Sequence, residues 1–205
     1  MSFAQFRQSL PYQGLLLGLA ALVTSSALLI ANQLTAPVIA QRNAEDLAAS
    51  LAQALPGVAY DNDLAADSVV IEAGVGAKTT RVYRARKDGA VQALAYEVTG
   101  FGYSGAIRLV MGVDNEGKVL SVRVLAHRET PGLGDKIEIQ KSRWIESFNG
   151  LTRDQPPAEQ WRVKKDGGQF DQFTGATITP RAVVKAVKEG LDLYAAHRDA
   201  MLAEQ

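Results

Sequence analysis

Asp171-Gln172-Phe173-Thr174-Gly175-Ala176-Thr177-Ile178-Thr179-Pro180 is the stretch from which the rest of the chain is read. A Gly-Ala pair precedes a threonine. Thr179-Pro180 has the form of a helix start, with Thr179 as N-cap and Pro180 at the first helical position. Beyond it Val183, Val184, Val187, Leu191 and Tyr194 recur at helical spacing, which predicts an amphipathic helix with one buried face. Thr177 then stands just outside a helix N-terminus, where unpaired backbone N–H groups and the helix dipole favour an anion. On local pattern alone, the plainer account is a threonine-rich cap after a turn.

Upstream, from about residue 69, the period is that of strands. Val69-Val70-Ile71 is a short apolar run. Thr80 to Arg86 and Val91 to Val98 flank Lys87-Asp88-Gly89-Ala90, a hairpin signal. Gly100 to Gly105 is a glycine-rich corner, and the nearly continuous apolar run Ala106 to Val113 suits a central strand. After the turn Asp114 to Gly117, strict alternation would put Leu120, Val122, Val124 and Ala126 on one face, with Val119, Ser121, Arg123, Leu125 and His127 on the other. Ile137 to Phe148 reads as a short helix, and Trp161 to Lys165 as one more strand. The fold class expected is α+β: an antiparallel β-sheet meander with flanking helices, preceded by one N-terminal transmembrane helix.

That N-terminal helix rests on Gly14 to Leu34, which carries no charge. At ~1.5 Å per residue it spans roughly 30 Å, the thickness of a bilayer core. The run exceeds a usual signal-peptide core, which favours a retained anchor over cleavage near Val38-Ile39-Ala40. Arg7 precedes it with no acidic residue nearby, and Arg42, Glu45 and Asp46 follow, so the positive-inside rule puts the N-terminus in the cytoplasm. Leu47, Leu51 and Leu55 share one helical face, ended by Pro56-Gly57. The expected organisation is a cytoplasmic N-terminus over 1–13, a transmembrane helix over 14–34, a stalk helix over 35–56 and an extracytoplasmic domain over 57–205.

Composition narrows the chemistry. The 22 basic and 22 acidic residues balance, which suggests no nucleic-acid partner. No cysteine is present, so disulfides, Cys-ligated Fe–S clusters and thiolate metal sites are excluded from this chain. His127 and His197 are the only histidines, which leaves little for a His-based metal site.

Asp171-x-x-Thr174-Gly175-Ala176-Thr177, followed by Ile178-Thr179, resembles the flavinylation signature of the FMN-binding domain family. In that family the last threonine of the Ser/Thr-Gly-Ala-Thr core carries FMN through a phosphoester bond, and the threonine so placed here is Thr177. Thr174 stands where serine is more usual and Pro180 where serine often follows; neither is the acceptor. Phe101-Gly-Tyr103-Ser104-Gly105-Ala-Ile107 and His127-x-Glu129-Thr130-Pro131-Gly132-Leu133-Gly134 resemble further pieces of the same family. With the single apolar helix in front, the chain resembles the G-subunit family of the Rnf (also called Rsx) ion-translocating electron transport complexes. A related family is the C subunit of the sodium-pumping NADH:quinone reductase.

The resemblance implies covalent FMN that relays electrons between redox centres of a membrane complex, in a polypeptide that is not catalytic alone. It implies other membrane subunits of that complex as partners, in a bacterial inner membrane with the flavin domain periplasmic. It also implies a flavin transferase that uses FAD and a divalent metal, the metal belonging to the transferase. Residue by residue, Thr177 would tether the phosphate within Thr174, Gly175 and Ala176. Glu129 and Thr130 would hydrogen-bond the ring edge or ribityl hydroxyls, Leu133 and Gly134 would pack on the ring face, and Asp171 would be read by the modifying enzyme. His127 is either beside the ring or a satisfied histidine at a strand end. Lys164 and Lys165 are solvated or stabilise reduced flavin, and Trp144 and Trp161 suit a core or interface. The competing readings are a component like that C subunit of the sodium pump and a membrane-anchored binding or assembly module without redox chemistry. A free-standing flavoreductase would need a nicotinamide site, and no Gly-x-Gly-x-x-Gly fingerprint stands at a strand–helix turn.

Overall fold

A computed structural model describes residues 10–72 and 79–203, so Arg7 lies outside the described residues. Contacts divide the chain into two units, Met1–Asp46 and Leu47–Gln205. Helix α1 (Leu10–Ala54) begins in the first and ends in the second, and it continues through Pro37. Its apolar stretch turns Leu15, Leu17, Leu22, Leu28 and Leu34 outward, all exposed, and the helix is long and apolar enough to cross a membrane. The hydroxyls of Thr24 and Thr35 donate to the carbonyls of Ala20 and Ala31, each at 2.8 Å, so neither needs water.

The second unit is built on one antiparallel sheet in sequence order: β1 (Ser68–Ile71), β2 (Thr80–Lys87), β3 (Ala90–Phe101), β4 (Ala106–Asp114) and β5 (Val119–Ala126). Asp88 (φ 52°) and Gly89 (φ 83°) close the β2–β3 hairpin as a two-residue turn with both central φ positive, the form whose twist matches the strands. Leu94 and Tyr96 of β3 and Leu109, Met111 and Val113 of β4 face helix α2 (Ile178–Leu202), which buries Val183, Val184, Val187, Leu191 and Tyr194 as its spacing predicted. The opposite face combines Tyr83 and Val110 with the small Ala85, Ala93, Ala95 and Gly112, and takes Leu51 and Ala54 from the end of α1 and Leu55 just beyond it. A Cβ at Gly112 would lie 2.0 Å from the carbonyl oxygen of Ala54, so only glycine lets that helix end approach the sheet.

Four local expectations are corrected. Val119 shares the α2 face with Val122 and Val124, while Leu120 joins Leu125 on the other. The register shifts between Gly112 and Val113, where Gly112 pairs with Ser121 but Val113 with Val119. One extra residue in a strand inverts the alternation on one side of it. The expected helix over Ile137–Phe148 is instead two 3-10 turns, Gly134–Ile137 and Arg143–Phe148, the second capped by Ser142 accepting from the Trp144 N–H at 3.1 Å. Trp161–Lys165 makes no strand; only Val163 bridges Phe170. Fourth, α2 starts earlier than Thr179-Pro180: Thr177 is its N-cap residue, and Pro180 sits inside the first turn, where its missing N–H has no intrahelical partner to lose.

The irregular connection from β5 to α2 is held by aromatic side chains. Phe148 stacks on Phe170 with centroids 4.8 Å apart, Trp161 lies parallel to Phe148 at 6.4 Å, and Trp144 meets Phe173 edge-on at 5.1 Å. The indole N–H groups of Trp144 and Trp161 donate to the carbonyls of Asp171 (2.8 Å) and Pro156 (3.1 Å).

Candidate functional site

Thr177 is reached through a short anchored turn. Phe173 is buried in the aromatic cluster, and the Ala176 N–H returns to the Phe173 carbonyl at 3.1 Å. Gly175, third of the four turn residues, takes φ +81°, a conformation closed to most side chains. Thr174 and Gly175 are therefore on the outside, and Thr177 follows half-buried at the start of α2. The Thr177 carbonyl accepts the Arg181 N–H at 3.3 Å, but its hydroxyl makes no capping hydrogen bond. Because Pro180 has no N–H, the open donors of this first turn are those of Ile178 and Thr179.

Thr177 lines a cavity of about 320 Å³ with Tyr103, Glu129, Thr130, Leu133, Gly134, Gly175, Ala176, Ile178 and Thr179. Three stretches far apart in sequence meet there, and they meet on one carboxylate. Glu129 is 5% exposed. Its oxygens accept the Ser104 N–H at 2.9 Å, the Tyr103 N–H at 3.3 Å and the Thr179 hydroxyl. A Cβ at Gly102 would fall 2.5 Å from Glu129 Oε1, and one at Gly134 would fall 2.9 Å from Glu129 Cβ and 2.8 Å from Thr179 Oγ1. Glycine at both positions is the steric condition for seating this side chain. Thr130 begins the turn below it, its carbonyl accepting the N–H groups of Leu133 and Gly134, both at 3.1 Å.

A further layer lies behind Glu129. Its own N–H donates to Nδ1 of His127 at 3.0 Å, and Nε2 of His127 lies 2.9 Å from Glu138 Oε1. An acceptor at Nδ1 requires the proton on Nε2, so the imidazole donates to Glu138. Lys141 Nζ reaches the same Glu138 oxygen at 3.1 Å and Asp135 Oδ2 at 2.8 Å. The His127 hydrogen bond, then that of Lys141, holds the Glu138 carboxyl below the usual carboxylate range. Lys141, then the Gly132 backbone, does the same for Asp135.

Of the residues singled out from sequence, Glu129, Thr130, Leu133, Gly134, Gly175, Ala176 and Thr177 line the cavity together. Thr174 and Asp171 do not; both are exposed, and Asp171 pairs with Lys164 at 2.6 Å. His127 is the satisfied histidine at a strand end, Trp161 is buried in the core, and the half-buried Trp144 packs against it. Tyr103, Ile178 and Thr179 line the cavity without having been assigned a role there. Tyr103 (75% exposed), Leu133 (43%) and Ile178 (46%) give it an apolar rim. The place of Tyr103 in a glycine corner was the available signal; Thr179 was disguised by its resemblance to a cap.

The cavity suits FMN. Its volume is at the small end for cofactor sites, enough for a phosphate and ribityl chain, and its exposed apolar rim would suit a flat ring. The unbonded Thr177 hydroxyl and the open N–H groups meet the phosphate requirement.

Residues 102–192 match the FMN-binding domain family. The G subunit of an ion-translocating oxidoreductase complex from Cereibacter sphaeroides is 53% identical over 191 residues, which are 93% of this chain and 86% of that one. Its counterpart from Shewanella piezotolerans is 44% identical over 201 residues, 96% of this chain and 95% of that one. Among solved structures, NqrC from Shewanella oneidensis aligns with a TM-score of 0.49 at 23% identity, over 66% of this chain and 69% of that one.

Proposed function

The chain belongs to the G-subunit family of ion-translocating oxidoreductase complexes, and from that premise we propose that Thr177 carries FMN covalently and relays electrons between redox centres of such a complex. The observation that carries the reading is the Thr177 hydroxyl, uncommitted at the start of α2 and lining the cavity where the three motif segments converge. Attachment forms the Oγ1–phosphorus bond and breaks the pyrophosphate of FAD, with AMP leaving and the hydroxyl proton passing to a base of the transferase. Asp171, Thr174 and Gly175 form the exposed ridge that a transferase can reach.

Once bound, FMN supplies one- and two-electron chemistry. The residues do the rest. The Ile178 and Thr179 N–H groups meet the phosphate charge, Leu133, Tyr103 and Ile178 cover part of the ring, and Glu129 holds the three segments in register. The covalent bond keeps the carrier at a high effective concentration outside the cytoplasm, where free flavin is dilute. The apolar part of α1 anchors the protein in the bacterial inner membrane, with residues 57–205 on the periplasmic side following the charge asymmetry about the helix.

The test is the intact mass and in-gel flavin fluorescence of denatured protein, for wild type and Thr177→Val, each made with an active transferase in the same compartment. One FMN on wild type and none on the variant is the expected result. Unmodified, colourless wild type would overturn the covalent reading and leave an anchored module without redox chemistry.

A further inference from the structure

We propose that His127, oriented by Glu138, is a positioning residue that sets the reduction potential of the flavin through the buried carboxylate of Glu129. The inference rests on FMN occupying the cavity at Thr177. Three observations lead to it. First, Glu129 is an almost fully buried carboxylate lining the cavity, and its side chain meets donors from the 102–104 corner and from α2. Second, its backbone is pinned by one further bond, its N–H donating to His127 Nδ1 at 3.0 Å. That bond joins residue i to the N–H of i+2, the geometry an asparagine makes in an Asx turn. Third, the imidazole can accept at Nδ1 only while its proton stays on Nε2, and Glu138, 2.9 Å away, holds it there while Lys141 holds Glu138. None of His127, Glu138 and Lys141 lines the cavity. They act on it through a single N–H.

The consequence is electrostatic. A fixed negative charge in a water-poor cavity opposes the negative charge gained when flavin is reduced, and so lowers its potential. Without the His127 bond, the Glu129 backbone loses its tether, the carboxylate shifts on its three remaining donors and admits water, and its effect on the ring is partly screened. His127→Phe therefore raises the potential. Glu138→Ala does the same, because the imidazole proton is then free to move to Nδ1 and turn the Glu129 N–H away. His127→Asn restores the i+2 acceptor and leaves the potential near that of wild type.

The experiment is spectroelectrochemical titration of the flavinylated full chain in detergent, for His127→Phe, Glu138→Ala and His127→Asn, in the wild-type and Glu129→Gln backgrounds. In the wild-type background, His127→Phe is expected to shift the reduced-to-oxidised ratio at fixed potential about tenfold toward reduced, which is about 30 mV for a two-electron couple. In Glu129→Gln, where the charge is already gone, neither His127→Phe nor Glu138→Ala should shift it further. An unchanged potential in His127→Phe overturns the proposal, as does an equal shift in both backgrounds or a full shift in His127→Asn. If His127→Phe does not fold, Glu138→Ala carries the same cycle alone. Wild type that takes up no flavin would instead defeat the FMN reading, an outcome seen before any potential is measured.

Discussion

Against α2 the sheet presents Leu94, Tyr96, Leu109, Met111 and Val122, none with measurable exposure, and the helix answers with Val183, Val187 and Leu191. At the Thr177 end the buried centre is the Glu129 carboxylate, met by two backbone N–H groups and one hydroxyl. The first region is held by apolar area, which is non-directional and sums over many contacts. The second is held by a few directional bonds, each of which fails if its partner moves. The difference separates two properties. The α2 face buries the larger apolar area and so is expected to carry more of the stability, whereas the Glu129 end fixes where the segments of the candidate site lie.

Substitutions ranked by the stability they cost put this to the test. Leu191→Ala, at 1% exposure, should destabilise the detergent-solubilised chain by about 2–5 kcal/mol in thermal unfolding, while the protein that remains folded still accepts FMN. If its flavin load falls as far as its stability, the two regions are not separable. Glu129→Ala lies on the boundary. It strands the Tyr103 and Ser104 N–H groups and the Thr179 hydroxyl, which should cost about 1–3 kcal/mol and also lower the FMN load measured by intact mass.

Tyr96→Phe removes the buried bond from its hydroxyl to the Gly190 carbonyl (2.8 Å) and should cost about 1–2 kcal/mol, with flavin loading unchanged. Thr177→Val should change stability by less than about 0.5 kcal/mol yet abolish covalent FMN, since its hydroxyl makes no capping bond. A melting temperature lowered as much as in Leu191→Ala would show that the acceptor belongs to the scaffold.

The smallest effect concerns acid. Burial raises the Asp67 carboxyl, but the hydrogen bonds from Arg86 (2.7 Å) and Arg84 (2.6 Å) outweigh it and hold the group below its ordinary value. A carboxyl depressed in the folded state adds stability above its unfolded value and loses it as pH falls through the folded one. The wild-type chain should therefore lose stability below about pH 4, and Asp67→Asn should flatten that part of the melting-temperature profile.

The sequence and the structure agree where the signal is short-ranged. The Asp88-Gly89 hairpin, the apolar β4 and the buried valines of α2 are all legible from spacing, because alternation and helical period are properties of neighbouring residues. Disagreement begins where one residue slips or where distant side chains take over. The bulge that pairs Gly112 with Ser121 exchanges the faces of Val119 and Leu120, and nothing in Lys118 to His127 announces it. Ile137–Phe148 reads as a helix and Trp161–Lys165 as a strand, but the conformation of both is set by Trp144, Phe148, Trp161, Phe170 and Phe173 packing on one another. Thr179 looked like a cap, and its hydroxyl belongs to a glutamate 50 positions away.

From sequence alone came the apolar N-terminal helix, the antiparallel meander with its following helix, and the motif residues from Glu129 to Gly134 and from Gly175 to Thr177. The elements rest on local periodicity and turn chemistry, and the motif residues on their resemblance to the FMN-binding domain family. Only the tertiary structure decided that these segments share one cavity, that Glu129 joins them and that His127 stands behind it. Hydrogen bonds across 25 and 50 positions depend on how the strands and α2 bring the chain together, and no window of neighbouring residues encodes that geometry.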